Sequence, residues 1–245
     1  MFLPSCLHHR SCAVKCESFV PEVFSLLCWN VHKNNTKNAA MKSYFESIEK
    51  DCDFLLLQEA NFRDDSAFTL PNLAFDAAAN LEVRKTFYGV LTASKVESKK
   101  AEAFLSQGKE SLFGPHKSLL LSSYFFEDNT ELLILNVHAL NFRESKSYQR
   151  ELEGFLQLLK THKGPMIVAG DFNTWSKTRR QKLEELIVEI GLVAVPLDHE
   201  DAVKHFFGKH LDFILYRGLL LESFSCQDLP ELSDHNPLFA RFKKI

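Results

Sequence analysis

Short apolar runs that stop at a polar, ligand-bearing residue recur along the chain, and this recurrence constrains the fold more than any other feature. Residues 23–31 (VFSLLCWNV) carry Asn30 and lead to His32, and residues 53–57 stop at Gln58-Glu59. Residues 132–137 (LLILNV) stop at His138, and residues 166–169 run through Gly170 into Asp171 and Asn173. Residues 211–216 carry Asp212, and Ser233-Asp-His-Asn236 leads into a last apolar run over 237–242. Runs of this length, bounded by Gly, Pro and Asn, predict buried strands. Strand ends on one side of a sheet converge in space, so the polar groups at residues 30, 59, 138, 171, 212 and 234 are predicted to meet in one pocket.

Three stretches have helical spacing instead. Residues 37–50 carry Ala40, Met41, Tyr44, Phe45 and Ile48 on one face; residues 146–161 carry Leu152, Phe155, Leu156 and Leu159; residues 176–190 carry Leu183, Leu186, Ile187 and Ile190. Further strands are predicted over 87–92, 119–126 and 219–224. Residues 93–117, with Ser98-Lys-Lys100, Gln107-Gly108 and Gly114-Pro115, read as an exposed connection. Strands outnumber helices, and several follow one another with no helix between. That favours antiparallel pairing in an α/β sandwich over a doubly wound parallel sheet. No repeat or linker interrupts the pattern, so residues 23–245 are expected to form one domain, with 1–22 as a leader or edge strand.

Composition narrows the function classes. A chain of 245 residues with 45% hydrophobic and 25% charged residues can bury a substantial core, which excludes a disordered class. The 22 phenylalanines are read as core filling. A net charge of -3 gives no global basic footprint for avid nucleic-acid binding, although a local patch with bound cations can offset that balance. No apolar run reaches the ~20 residues needed to cross a bilayer, and residues 1–20 lack the apolar core of a secretory signal, so cytoplasmic residence is the default expectation. Cys6, Cys12, Cys16, Cys28, Cys52 and Cys226 include no CxxC pair and are expected as free thiols. The spacing of Cys6, His9, Cys12 and Cys16 matches no standard zinc finger.

Two or three carboxylates with two asparagines and two histidines are hard-ligand chemistry, suited to magnesium or manganese more than to zinc. Magnesium held by one or two carboxylates keeps positions for water and phosphate oxygens, while amides and imidazoles donate to a phosphate whose charge grows in the transition state. Taken singly, each residue also has a structural explanation. His138 or His235 could be a satisfied core histidine, Asn30 a turn former, and Asp171 with Asn173 a capped turn. Asp212, set between Leu211 and Phe213, is costly unless paired, which favours a buried Asp-His couple. Gln58 reads as structural.

In order along the chain, Asn30, Gln58-Glu59, Asn136-Val-His138, Gly170-Asp-Phe-Asn173, Leu211-Asp-Phe-Ile214 and Ser233-Asp-His235 resemble the motifs of the endonuclease/exonuclease/phosphatase superfamily, the deoxyribonuclease-I-like fold. The resemblance runs from about residue 23 to the end. The segment NVHALNFR, residues 136–143, is similar to short bacterial members of unassigned substrate. It implies a four-layer αββα sandwich, with two mainly antiparallel or mixed β-sheets packed face to face, and phosphoester hydrolysis dependent on Mg2+, with Mn2+ as a substitute. Glu59 would be the principal metal ligand with Asn30 beside it, and Asp234 would approach the metal or a second metal position. Asp171 would orient and deprotonate the attacking water, and Asn173 would hold the phosphate. His138 would donate to a non-bridging oxygen. His235 would do likewise or protonate the leaving oxygen, with Asp212 fixing its tautomer. Lys33, Arg63 and Arg143 could clamp a substrate phosphate, although a solvated charge is the commoner fate of such residues.

The fold hosts nucleases, inositol-phosphate phosphatases, sphingomyelinases and RNA deadenylases, so it does not settle the substrate. A nucleic-acid phosphodiester is the leading expectation. A phosphatase or phosphodiesterase of a small or lipid phosphoester, of inositol phosphate or sphingomyelin type, is second, and a catalytically silent binding module third. Ser98-Lys-Lys100 is one local basic cluster; Lys177, Arg179, Arg180 and Lys182 form another, read as a solvated helix face. No protein partner is implied, and a monomer is the default.

Overall fold

The computed structural model describes residues 3–11, 16–36, 38–63, 73–109, 116–139, 150, 152–154, 157, 159–197, 205–206 and 209–245. Strand β2 (Val23–Asn30) shows the construction. Phe24, Leu26 and Cys28 join the core between two sheets, whereas Leu27 and Trp29 alternate to the other face, under Met41 and Phe45 of helix α1 (Ala39–Ile48). A strand buried on both faces is apolar at successive positions, which is why it reads as a continuous run. Asn38 caps α1 by accepting from the Ala40 and Met41 amides.

The first sheet has the order β1-β4-β5-β3-β2-β15-β14, with β1 (His8–Ser11), β3 (Phe54–Phe62), β4 (Ala74–Val83), β5 (Thr86–Ser94), β14 (Leu219–Cys226) and β15 (Leu238–Lys244). The second has the order β10-β13-β9-β8-β7-β6, with β6 (Lys100–Lys109), β7 (His116–Phe125), β8 (Glu131–His138), β9 (Met166–Asp171), β10 (Val193–Ala194) and β13 (Asp212–Arg217). Strands β11 (His205–Phe206) and β12 (Lys209–His210) pair separately. The β2/β3 and β8/β9 pairs are parallel and the other ladders antiparallel, so both large sheets are mixed.

Helix α2 (Lys177–Ile190) buries Leu183, Leu186 and Ile190 in the same core as β8, β9 and β13; it starts at Ser176 and ends at Gly191, which is left-handed at φ 71°. The helix expected over 146–161 is helical at Arg150, Leu152, Glu153, Gly154, Gln157 and Leu159, with Leu152 and Leu159 in that core. Its other residues up to 158 lie outside the described set. A helix on the outer face of each sheet gives the four-layer αββα sandwich. Among the described residues no helix is long and apolar enough to cross a membrane.

The sheets are pinned together by polar groups as well as by apolar ones. Asn136, wholly buried on β8, donates Nδ2 to the Leu91 carbonyl at 3.0 Å and the Leu57 carbonyl at 3.3 Å, and accepts from Gln58 Nε2 at 2.8 Å. These bonds cross from the second sheet to β3 and β5 of the first. They fix the relative register of the strand ends discussed below.

Three sequence expectations need correction. Residues 93–117 are not an exposed connection: they contain β6 and the start of β7, while 110–115 lie outside the described residues. Strand β6 is a sheet edge with Lys100 and Glu102 on it, so it lacks a continuous apolar run. Strand β4 was unforeseen because its alanine-rich sequence, AFDAAANLEV, has weak strand preference; pairing with β1 and β5 forms it. Arg179 is not on a solvated face but wholly buried. In the N-terminal stretch, β1 lies along the sheet edge, where His8 and Arg10 both bond Asp76.

Candidate active site

Asp171 ends β9, directly opposite His138 across the parallel ladder to β8 and opposite Asp212 across the antiparallel ladder to β13. Gly170 permits this close pairing. Its φ is +145°, and a Cβ there would lie 1.9 Å from the Val137 carbonyl oxygen. The chain then turns at Asn173, φ 52°, whose amide donates to Asp171 Oδ1 at 3.0 Å and whose Nδ2 donates to the Ala139 carbonyl at 2.9 Å. Buried Arg179 donates to the Asn173 carbonyl at 3.1 Å and stacks on Trp175, which braces the turn from below.

From the first sheet, Asn30 donates Nδ2 to Asp171 Oδ2 at 3.2 Å and accepts the His32 amide on Oδ1 at 3.1 Å. Ser233 Oγ donates to the Asn30 carbonyl at 2.7 Å, and Trp29 Nε1 donates to the His235 carbonyl at 2.7 Å. The loop before β15 is thus tied to the end of β2, which delivers His235. Its Nδ1 lies 2.7 Å from Asp212 Oδ2, and its Nε2 lies 4.0 Å from Asp171 Oδ2. With Asp212 accepting from Nδ1–H, Nε2 is the ring nitrogen turned toward Asp171, and it carries a proton when the ring is an imidazolium.

The electrostatics separate the two groups. Burial and then the facing Asp212 carboxylate raise Asp171 to about 6. Burial alone would push His235 down, but Asp212 and Asp171 outweigh it and lift the imidazole to about 9. At neutral pH the pair is therefore carboxylate and imidazolium. Ligand atoms of Asp171, Asp212 and His235 all lie within 4.8 Å of one another. A protonated His235 is a proton donor in that trio and no metal ligand.

Glu59 sits where β3 bulges between Leu57 and Ala60, at φ 49°. Its Oε1 is 3.8 Å from His138 Nε2 and 4.0 Å from Lys117 Nζ. Its Oε2 is buried with Lys33 Nζ 3.0 Å away and no other partner among the described residues. Burial opposes ionisation of Glu59; His138, Lys117 and Lys33 face it and hold it at about 2. Because burial and then the Lys117 charge push His138 well below its ordinary value, the two ammoniums do this work at neutral pH. His138 Nε2 also lies 3.8 Å from Asp171 Oδ2 and 3.0 Å from Lys117 Nζ.

A family model described as the Endonuclease/Exonuclease/phosphatase family matches residues 27–235. A UPF0294 protein of Vibrio cholerae is 35% identical over 224 residues, covering 90% of this chain and 78% of the relative. The chain belongs to the endonuclease/exonuclease/phosphatase family. Members of this family are hydrolases of phosphoesters and are generally dependent on divalent metal. An endonuclease/exonuclease/phosphatase family protein from Leptotrichia buccalis shares the fold with a TM-score of 0.66 at 16% identity, covering 90% of this chain and 99% of that one. So does a Bacteroides thetaiotaomicron structure titled mannosyl-6-phosphatase, with a TM-score of 0.66 at 14% identity and coverage of 89% and 99%.

Of the residues singled out from the sequence, Asn30, Glu59, His138, Asp171, Asn173, Asp212 and His235 are linked in this family member by the contacts above. Asp234 is set apart: its side chain is half exposed, with His32 Nδ1 3.3 Å from it. Lys33 meets Glu59, whereas Arg63 is exposed one residue beyond β3. Arg143 and Cys12 lie outside the described residues. Cys28 and Cys52 are buried free thiols. Sequence reasoning missed Lys117 and Arg179. The signal for Lys117 was a lone cation opening the apolar run at 119–126; in a strand antiparallel to β8 the beginning, and not the end, reaches the site.

Proposed function

We propose that this protein is a divalent-metal-dependent phosphodiesterase acting on nucleic acid. The observation that carries the chemistry is the Asp171–His235 pair, whose environments push a carboxyl up to about 6 and an imidazole up to about 9. Asp171 takes a proton from the attacking water, and His235 gives its Nε2 proton to the leaving oxygen. Asp212 holds the ring and stabilises its charge. Asn30 fixes Asp171 Oδ2 toward the pair, and the Asn173 turn fixes Oδ1.

The donor set fits a hard cation. Glu59 is ionised and mostly buried, and its Oε2 meets no group but a half-exposed lysine that can swing to solvent. Glu59 with Asn30 would hold Mg2+, or Mn2+ in its place, and Asp234 at the rim would approach it. The metal would neutralise charge growing on the phosphate and the leaving oxygen. For nucleic acid the support is two exposed basic side chains, Lys33 on the loop after β2, 3.0 Å from Glu59, and Arg63 one residue beyond β3. A second reading, a phosphatase of a small phosphomonoester, is favoured by two ammoniums at Glu59, because a monoester dianion carries more charge than a diester.

The test is hydrolysis of single- and double-stranded DNA, RNA and small phosphomonoesters, with Mg2+ and with EDTA, by wild type, Asp171→Ala and His235→Ala. Mg2+-dependent cleavage of nucleic acid that both variants lose is expected. Preference for monoesters would select the second reading, and activity insensitive to EDTA and to both substitutions would defeat the mechanism.

A further inference from the structure

Lys117 is 5% exposed and opens β7 beside the end of β8, so its side chain enters the site from the sheet interior. An ammonium has three donors and no acceptor. At 3.0 Å from Lys117 Nζ, His138 Nε2 must therefore accept, which puts the ring proton on Nδ1. The nitrogen facing Asp171 and Glu59 is then a lone pair and cannot donate to a phosphate oxygen, the role the sequence suggested for His138. The donor at this spot is the lysine.

We propose that Lys117 is a catalytic residue that binds a non-bridging oxygen of the scissile phosphate, with His138 as the acceptor that aims it. Lys117 helps to hold Glu59 ionised, yet Lys33 stands closer to that carboxylate, 3.0 Å against 4.0 Å, and the nearer partner of the Lys117 ammonium is His138 at 3.0 Å. Taking an ammonium out of water is costly, and a buried charge is weak evidence for a purely structural role. An ammonium poised beside Asp171, in a site where water is scarce, acts on developing phosphate charge with little reorganisation. This inference rests on the phosphoester reading above for its substrate, and its test is built to fail separately.

The experiment is calorimetric titration of the protein in Mg2+ with inorganic phosphate, for wild type, Lys117→Met, Lys117→Arg and His138→Ala, each checked by thermal melting. Loss of one charge-assisted contact, at about 1.5–3 kcal/mol, predicts phosphate affinity about 10- to 100-fold weaker in Lys117→Met. Lys117→Arg keeps the charge and is expected within about tenfold of wild type; His138→Ala keeps the ammonium and should retain more affinity than Lys117→Met. With Mg2+ and bis(p-nitrophenyl) phosphate, Lys117→Met should lose on the order of 10²–10³ in kcat, as other oxyanion donors do, and methylammonium should restore part of it. The reverse pattern, binding lost in His138→Ala and kept in Lys117→Met, would return the donor role to the histidine and overturn the proposal. So would wild type that binds no phosphate. If Lys117→Met unfolds, Lys117→Gln, which removes the charge but keeps a polar side chain, takes its place in the same ranking against His138→Ala. Titration needs no turnover, so wild type that binds phosphate but cleaves nothing would defeat the proposed function and not this assignment.

Discussion

Asp212→Asn tests the acid-base assignment most directly. The Asp212 carboxylate, 2.7 Å from His235 Nδ1, helps lift the imidazole from 6.5 to about 9 against the opposing pull of burial. At about 1.4 kcal/mol per tenfold, that is about 3 kcal/mol of preference for the imidazolium. An amide keeps the shape and removes the charge, so His235 should return to 6.5 or below. At pH 8 the imidazolium fraction would then fall from about nine-tenths to a few per cent, a loss of about 30-fold from protonation alone. Because the amide can also hold the wrong tautomer, the total loss is expected on the order of 10²–10³. The assay is kcat/KM against pH from 5 to 10, which reports the groups of the free enzyme. Wild type should rise through about 6 as Asp171 loses its proton and fall through about 9 as His235 loses its own. In the variant the alkaline limb should move down by about two pH units or more. An alkaline limb still near 9 in Asp212→Asn would refute the assignment of that limb to His235. The same raised group stabilises the fold fully below pH 6.5, and that stabilisation is lost as pH climbs through about 9.

Four further outcomes follow. Asp171→Ala should lose on the order of 10³-fold or more in turnover while melting normally; near-normal turnover would show that another group is the base. EDTA should abolish turnover and Mg2+ restore it, and Glu59→Gln should weaken Mg2+ binding at least about tenfold by calorimetry, since even outer-shell partners are worth that much. Gly170→Ala should destabilise by about 3 kcal/mol or more in urea unfolding, because the added Cβ meets the Val137 carbonyl at 1.9 Å in a left-handed conformation; an unchanged midpoint would show that β8 and β9 can part. Asn136→Leu should cost about 2–4 kcal/mol by removing the acceptor for one of the two Gln58 Nε2 protons and the side-chain donor to the Leu91 carbonyl in the core, and a loss below that range would remove the sheet-to-sheet clamp from the account.

What the sequence showed and what it hid have separate physical causes. Central strands such as β2, β8 and β9 are buried on both faces, so their apolar runs stood out, and with them the polar residues at their ends. Strand β6 runs along an edge and β4 is rich in alanine, so neither carries such a run; pairing makes them strands. Of the groups expected to meet, Asn30, Glu59, His138, Asp171 and Asp212 do, while Asp234 faces His32 at the rim and its neighbour His235 turns inward. Lys117 and Arg179 were hidden for one reason. Basic residues are mostly solvated, and only tertiary packing shows which of them are buried.

The constellation breaks several local rules at a single rim, and its charges explain how it tolerates them. Asp171 and Asp212 are direct partners in an antiparallel ladder, where like charges destabilise pairing. Asp212 Oδ1 is buried without a hydrogen-bond partner among the described residues, and Glu59 and Asn173 hold positive φ angles that cost a side-chain-bearing residue free energy. Yet three carboxylates, Asp171, Asp212 and Glu59, face three cations, His235, Lys33 and Lys117, so the group is close to neutral at pH 7. A phosphate anion entering such a site alone would leave it negative, and a divalent cation entering alone would leave it positive; in a poorly solvated pocket either imbalance is unfavourable. Entering together they restore neutrality. The charge count therefore favours joint occupation by metal and phosphoester, and it gives the strained rim a reason to exist that a purely structural arrangement would not have.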